Sequence, residues 1–338
     1  MMADTVHWSL SEAEGHAYDA LLACGARADN ARATAKALLR AEADGQAGHG
    51  LSRVPSYAAQ VKTGKVKGDA SPRLHQAADA LLRVDAGFGF AYPAVDLAID
   101  ALAALTPRTG IAAAAIYRSH HFGQAGAHAE RLAERGLVAL LFGNSPKGIA
   151  FWGGSKPMLG TNPIAFAVPM AAGKPPLVID LALSKVARGK IMAAGKRGEP
   201  IPEGWALDET GQPTTDPATA LKGSMLPIGD AKGAALAIMV ELLAAALTGS
   251  QFGWEASSLF DGAGDPPDLG HFIIAIAPDA ASDGNFAARM ATFATALAGE
   301  PGARMPGLSR IQNRARHERN GIDVPSALAH EILALGSA

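Results

Sequence analysis

A mixed α/β fold is predicted by three features of this 338-residue sequence. Helical patterns fill the first 45 residues, and short apolar runs alternate with helical segments from about residue 81. Between Pro169 and Pro227, many Gly, Pro and Thr residues point to long ordered loops instead of a compact strand–helix repeat. Hydrophobic residues make up 49% of the chain and charged residues 18%, which excludes a disordered polymer and supplies an ample core for two or three domains.

The elements follow in order. Ser11 with Glu14 forms a capping-box pattern, which opens a helix that runs to about Cys24 and stops at Gly25. Asp29 and Asn30 are N-cap candidates for a second helix ending near Gly45. Thr63–Pro72 is charged, rich in turn formers, and reads as a connector. Strands are expected at Leu81–Val84, Ala112–Tyr117, Leu137–Phe142, Ile164–Val168, Leu177–Leu181 and Phe272–Ala277. Helices are expected at Pro93–Leu105, Gln124–Arg135, Gly233–Leu247 and Asn285–Ala298. The apolar run Gly233–Gly249 is short of the roughly 20 residues that span a bilayer and carries Glu241, so a buried helix is the better reading.

Thirty basic residues against 32 acidic ones give a formal charge of −2, which removes a global electrostatic case for nucleic acid. The single cysteine, Cys24, excludes an intramolecular disulfide and a Cys-rich zinc site. The first residues carry neither a basic nor an apolar export region. The expectation is a soluble, cytoplasmic protein with no membrane or nucleic-acid partner.

Several segments carry candidate chemistry. No G-x-G-x-x-G, Walker A loop, H-E-x-x-H or G-x-S-x-G occurs, so any dinucleotide is bound by an architecture other than the Rossmann unit. In DGQAGHGLSR, His49 sits on a turning backbone and Arg53 offers a planar fork suited to a carboxylate; a solvated Arg after a helix end is the plainer reading. In RSHHFGQAG, His120 and His121 lie between a strand and a helix, where an imidazole can exchange the proton that accompanies carbonyl reduction. Being adjacent, the two point in different directions, and a pair satisfied by backbone is the alternative. FWGGSKPMLGTNP presents Thr161, VIDLALSKVARGK places Asp180 at a strand end, and GDAKG sets Lys232 at a helix start where a phosphate could bind. Arg304–Arg319 holds five arginines and reads mainly as a solvated helix face, with phosphate contact by Arg304 or Arg310 as the alternative.

Taken in order, EADGQAGHGLSR, RSHHFGQAG, WGG, LGTNPIAFAVP, VIDLALSKVARGKI, GWALDETGQPTTDP and GDAKG resemble the malate/L-lactate dehydrogenase family of the second type, over nearly the whole chain. That family includes cyclic-imine reductases and ureidoglycolate and sulfolactate dehydrogenases. The resemblance implies NAD or NADP as cofactor and hydride transfer at the carbon next to a carboxylate. It implies a cofactor domain with a mixed, largely antiparallel sheet, a helical domain built from both termini, and a homodimer. The corresponding division is an N-terminal helical segment at 1–75, a cofactor- and substrate-binding core at 76–285, and a C-terminal helical segment at 286–338.

Residue by residue, the resemblance makes His121 the general acid/base and puts His49, Arg53 and Thr161 on the substrate, His49 also counting as catalytic. It puts His121, Phe122, Gly123, Gln124, Ala125, Ser145, Ile179, Asp180, Leu181, Lys232 and Arg304 on the cofactor. Gly48 departs from the Ser common in the family, and Arg188 and Lys190 stand where some cyclic-imine reductases carry an acid, so a Ser-His-Asp relay is not expected. Reduction of a cyclic imino acid such as Δ1-pyrroline-2-carboxylate is the leading expectation, since its nitrogen can already be protonated. A 2-hydroxy acid dehydrogenase of malate, lactate or sulfolactate type is the alternative. A metal enzyme using His49, His120 and His121, and an inactive cofactor-binding protein, are the rivals from other classes.

Overall fold

A computed structural model describes residues 4–171 and 173–337. In chain order the strands are β1 (Thr5–Trp8), β2 (Arg73–Ala78), β3 (Leu81–Asp85), β4 (Ile111–Ser119), β5 (Val138–Gly143), β6 (Ile149–Ala150), β7 (Pro157–Leu159), β8 (Ile164–Val168), β9 (Leu177–Leu181), β10 (Ala206–Leu207), β11 (Pro213–Thr214), β12 (Ser224–Met225), β13 (Leu269–Ile276) and β14 (Ile322–Pro325). The helices are α1 (Leu10–Ala23), α2 (Ala28–Ala43), α3 (Val54–Lys62), α4 (Ala91–Thr109), α5 (Ala125–Ala133), α6 (Arg188–Arg197), α7 (Pro217–Lys222), α8 (Asp230–Glu241), α9 (Pro278–Ser282), α10 (Phe286–Gly299), α11 (Leu308–Asn320) and α12 (Ser326–Gly336).

The main sheet has the order β2-β3-β4-β13-β5-β8-β9. β3 and β4 run parallel, and the other five adjacent pairs are antiparallel. The expected mixed, largely antiparallel sheet is therefore present, and it has none of the all-parallel order of a Rossmann unit. Alternate residues such as Val84, Ile116, Leu141 and Ile273 face α4 and α5 and form one core with Ile99, Leu102 and Leu132. Ala115, Phe142 and Phe272, on the opposite face, meet Ala237 and Val240 of α8. β4 reads Ile-Ala-Ala-Ala-Ala-Ile, and its small side chains leave room for helices against both faces.

The two ends of the chain share a third core. Leu21, Leu38, Val54, Tyr57, Ile322 and Ile332 pack together, and β1 pairs antiparallel with β14. A small sheet, β11-β10-β12-β6-β7, packs with α6 and α7 around Ile191, Ile201 and Met225.

Four local expectations need correction. The capping box is Ser9 with Glu12, not Ser11 with Glu14: Glu12 N donates to Ser9 Oγ at 3.2 Å and Ser9 N donates to Glu12 Oε2 at 2.8 Å. Arg27, not Asp29 or Asn30, precedes α2; Asn30 is buried and donates to Gly68 O and Ala70 O, tying down the connector. The region between Pro169 and Pro227 contains α6 and α7. α8 is buried along one face only, while Leu236, Met239 and Leu242 are exposed. No helix among the described residues is long and apolar enough to cross a membrane.

Candidate active site

β4 ends at Ser119 and α5 begins at Ala125, so five residues bridge the end of an interior strand to a helix N-terminus. Gly123 makes the turn at φ +70°, and a Cβ there would lie 2.8 Å from the Tyr92 hydroxyl. The two histidines of this bridge diverge, as their adjacency predicts. His120 sends Nε2 to Gln60 Oε1 at 2.8 Å. His121 sends Nδ1 to the Tyr57 hydroxyl on α3 at 2.6 Å, and that hydroxyl lies 3.2 Å from the Tyr92 hydroxyl on α4. No protein group among the described residues is hydrogen-bonded to His121 Nε2.

The turn after α2 brings His49 and Arg53 to the same place. The His49 ring stacks on His121 with centroids 5.2 Å apart, and its Nδ1 is buried without a partner. Arg53 Nε donates to Gly48 O at 2.8 Å, and the guanidinium lies over the Phe260 ring at 4.8 Å from its centroid. Its two Nη atoms take no acceptor among the described residues, which leaves the fork free for a carboxylate. The opposite edge of Phe260's loop is fixed by Lys65, a fully buried lysine whose Nζ donates to Ser258 O, Asp261 O and Ala263 O.

Burial sets the protonation of this cluster. It holds His121 well below the ordinary histidine value, and the Arg53 guanidinium pushes in the same direction. Burial, then Arg53, lowers His49 to about 4. Burial, then Lys65, lowers His120 to about 3. The Tyr57 phenol is pushed up to about 12 by burial. At neutral pH the site therefore holds neutral imidazoles and neutral phenols, with the Arg53 guanidinium beside His49 and His121 and Lys65 near His120.

Thr161 stands beside Ser145: Thr161 N donates to Ser145 Oγ at 3.0 Å, and the two hydroxyls are 3.3 Å apart. Leu183 N donates to Thr161 O and Ile228 N donates to Leu183 O, which links this pair to the loop preceding Lys232. Phe122 is buried against His271, with centroids 4.4 Å apart.

Two of the segments expected to touch a dinucleotide meet at a third, the edge strand β9. Gly126 N, one residue past Ala125, donates to Asp180 Oδ2 at 2.8 Å, and a Cβ on Gly126 would lie 2.9 Å from that carboxylate. Gly307, three residues past Arg304, has φ +81° and would place a Cβ 3.0 Å from Val178 O. Burial raises the Asp180 carboxyl, with the Gly126 amide opposing. Ile179 and Asp180 are partly exposed, while Leu181, Lys232 and Arg304 are exposed.

Gln124 is drawn elsewhere, with Nε2 donating to Asp44 Oδ2 at 2.9 Å. Arg310 is not a solvated or phosphate-seeking residue: it is 6% exposed and donates to Glu130 at 3.2 and 3.3 Å. Arg40, Arg310 and Arg314 together enclose Asp44 and Glu130 and join α2, α5 and α11. Within this cluster sequence singled out only Arg310, as a phosphate contact, and it gave no functional signal for Tyr57, Tyr92, Lys65 or Phe260. Each lies in a different segment, and only folding brings them together. Among the described residues, no group of three His, Cys, Asp or Glu side chains is placed to hold a metal ion.

A family model described as malate/L-lactate dehydrogenase matches residues 8–333. A protein from Chromohalobacter salexigens named (2R)-3-sulfolactate dehydrogenase (NADP(+)) is 52% identical over 96% of this chain and 97% of its own length. One from Ancylobacter novellus named Delta(1)-pyrroline-2-carboxylate reductase is 43% identical over 99% of both chains. The crystal structure of delta1-piperideine-2-carboxylate reductase from Pseudomonas syringae pvar. tomato superposes with a TM-score of 0.92 at 37% identity, over 98% of this chain and 100% of that one.

Proposed function

Because this chain belongs to the malate/L-lactate dehydrogenase family, we propose that it is an NAD(P)-dependent oxidoreductase acting on the C=N or C=O carbon next to a carboxylate. The observation that carries this reading is the meeting of a free Arg53 fork with the unpaired Nε2 of a buried His121. The nicotinamide, when bound, supplies or takes the hydride. Arg53, with His49 on the same turn, holds the carboxylate end of the substrate, and Thr161 is assigned to the substrate as well, so that the carbon is oriented before reaction. His121 Nε2 gives a proton to the oxygen or nitrogen as negative charge develops there, and in reverse removes it. His121 to Gly123, Ala125, Ser145, Ile179 to Leu181, Lys232 and Arg304 are the residues we assign to the cofactor; the Gln124 side chain, bonded to Asp44, is not among them.

The cyclic imino acid is the first substrate class in this reading, supported by relatives bearing that activity at 38% to 44% identity. A 2-hydroxy acid with a sulfonate or similar group is the second, favoured by the 52% identity to a sulfolactate dehydrogenase. We place the protein in the cytoplasm as a homodimer. The exposed Leu236, Met239, Leu242 and Leu247 around α8, and an α10 with no buried side chain, support a second copy as the cover. The segments 1–75, 76–285 and 286–338 are read as helical, catalytic and helical parts, in keeping with the pairing of β1 with β14.

Two variants test the assignment of roles. His121→Ala is expected to lower kcat by about a hundredfold or more while retaining cofactor binding. Arg53→Ala is expected to raise KM by about ten- to a hundredfold, as loss of a charge-assisted pair implies. Wild-type turnover by His121→Ala would remove the acid/base assignment.

A further inference from the structure

We propose that Tyr57, backed by Tyr92, is the positioning residue that keeps a proton on Nδ1 of His121, so that Nε2 is the nitrogen that exchanges a proton with substrate. This rests on the reading of His121 as the acid/base. The sequence gives no hint of it, because Tyr57, Tyr92 and His121 come from α3, α4 and the bridge after β4.

The geometry is a short chain of oxygen and nitrogen atoms in a closed pocket. Nδ1 to the Tyr57 hydroxyl is 2.6 Å, and Tyr57 to Tyr92 is 3.2 Å. Tyr57 is fully buried and Tyr92 nearly so, so water does not substitute for either hydroxyl. A protonated imidazole carries hydrogen on both nitrogens and needs an acceptor at each. The Tyr57 oxygen is the acceptor for Nδ1–H, and the Tyr92 oxygen takes the hydrogen that Tyr57 must then turn away. The ring is held in orientation as well: His49 stacks at 5.2 Å on His121, and the Tyr57 ring stands edge-on to it at 6.3 Å.

The proton balance is simple. In reduction, Nε2–H passes its proton to the substrate atom as hydride arrives at carbon, leaving a neutral ring whose Nδ1–H still donates to Tyr57. In oxidation, the Nε2 lone pair accepts that proton and the Nδ1 side is again unchanged. Tyr57 itself never loses its proton, in keeping with its buried phenol.

Tyr57→Phe deletes one oxygen and leaves the packing. The Nδ1–H of the charged ring then lacks its acceptor, so protonated His121 is disfavoured. The expected result is a loss of about tenfold in kcat for reduction at neutral pH, with the pH profile displaced about one unit to the acid side and activity recovering there. Tyr92→Phe is expected to shift the profile the same way by less. Nitrogen-15 NMR of histidine-labelled, cofactor-free protein supplies a readout independent of turnover. Neutral His121 is expected to carry its proton on Nδ1 in the wild type and to lose that preference in Tyr57→Phe.

Turnover is measured with NADPH against Δ1-pyrroline-2-carboxylate and sulfopyruvate. A uniform fall in kcat at every pH, an unshifted profile, or a wild-type ring protonated on Nε2 would each overturn the proposal. If His121→Ala is inactive while Tyr57→Phe matches the wild type, this inference alone fails. If His121→Ala turns over normally, the reading on which it rests fails first.

Discussion

His121 is held neutral at rest by burial and by the positive charge of Arg53. A substrate carboxylate paired with Arg53 removes the second of those effects, so binding itself raises the proton affinity of the acid. Gly48 offers a sharp test of the missing relay. An added Cβ there meets nothing within 4 Å, and Arg188, which stands in place of a relay acid, donates to Leu221 O at 2.8 Å. Gly48→Ser is therefore expected to change stability by no more than about 0.5 kcal/mol and kcat by less than about threefold. A tenfold gain in kcat would show that a hydroxyl beside His49 limits the wild type.

At the scale of elements, two carboxylates and three guanidiniums determine how the helical layer meets the sheet. Glu130 on α5 is 1% exposed and takes Arg40, Arg310 and Arg314, while Asp44 at the end of α2 takes Arg314 at 2.6 Å. Glu130→Gln strands buried guanidinium charge, and a loss of about 3 to 5 kcal/mol in urea unfolding is expected. A loss below about 1 kcal/mol would mean that hydrophobic packing alone fixes α5 and α11.

This cluster also shows where sequence reading runs out. The six strands and four later helices expected from sequence are present; burial on one face imprints its period on elements such as α4 and β3, while α10 forms with no buried side chain. β2 was missed because all its residues are exposed and leave no alternation to read. The arginines of α11 looked solvated because their partners lie some 180 to 270 residues away. His49, Arg53 and His121 were legible as motif residues. Tyr57 and Phe260 were not, since a buried or half-exposed aromatic has no local signature of the group it touches.

Across the whole molecule, buried histidines link stability to pH. Burial lowers His120 and His271 to about 3 and His128 to about 4, against 6.5 when unfolded. The unfolded chain therefore binds more protons between those values. This stabilisation is fully present above pH 6.5 and is lost as pH falls toward 3 to 4, by up to about 1.4 kcal/mol per pH unit for each histidine. Thermal melts are expected to drop steeply between pH 7 and pH 5, and a flat Tm over that range would contradict the burial of these rings as neutral groups. The same exposed α8 and α10 surfaces predict a dimer mass by sedimentation, whereas a monomer at micromolar concentration would require another occupant.

The most direct test of the central claim is the near-ultraviolet absorbance of reduced nicotinamide. NADH and NADPH are run in parallel against Δ1-pyrroline-2-carboxylate, oxaloacetate, pyruvate and sulfopyruvate. Consumption of one reduced cofactor with the cyclic imine or with an oxo acid, abolished by His121→Ala, is the predicted result, and the preferred substrate assigns the class. Silence across the panel from protein that still binds cofactor would contradict the account and leave a binding protein in its place.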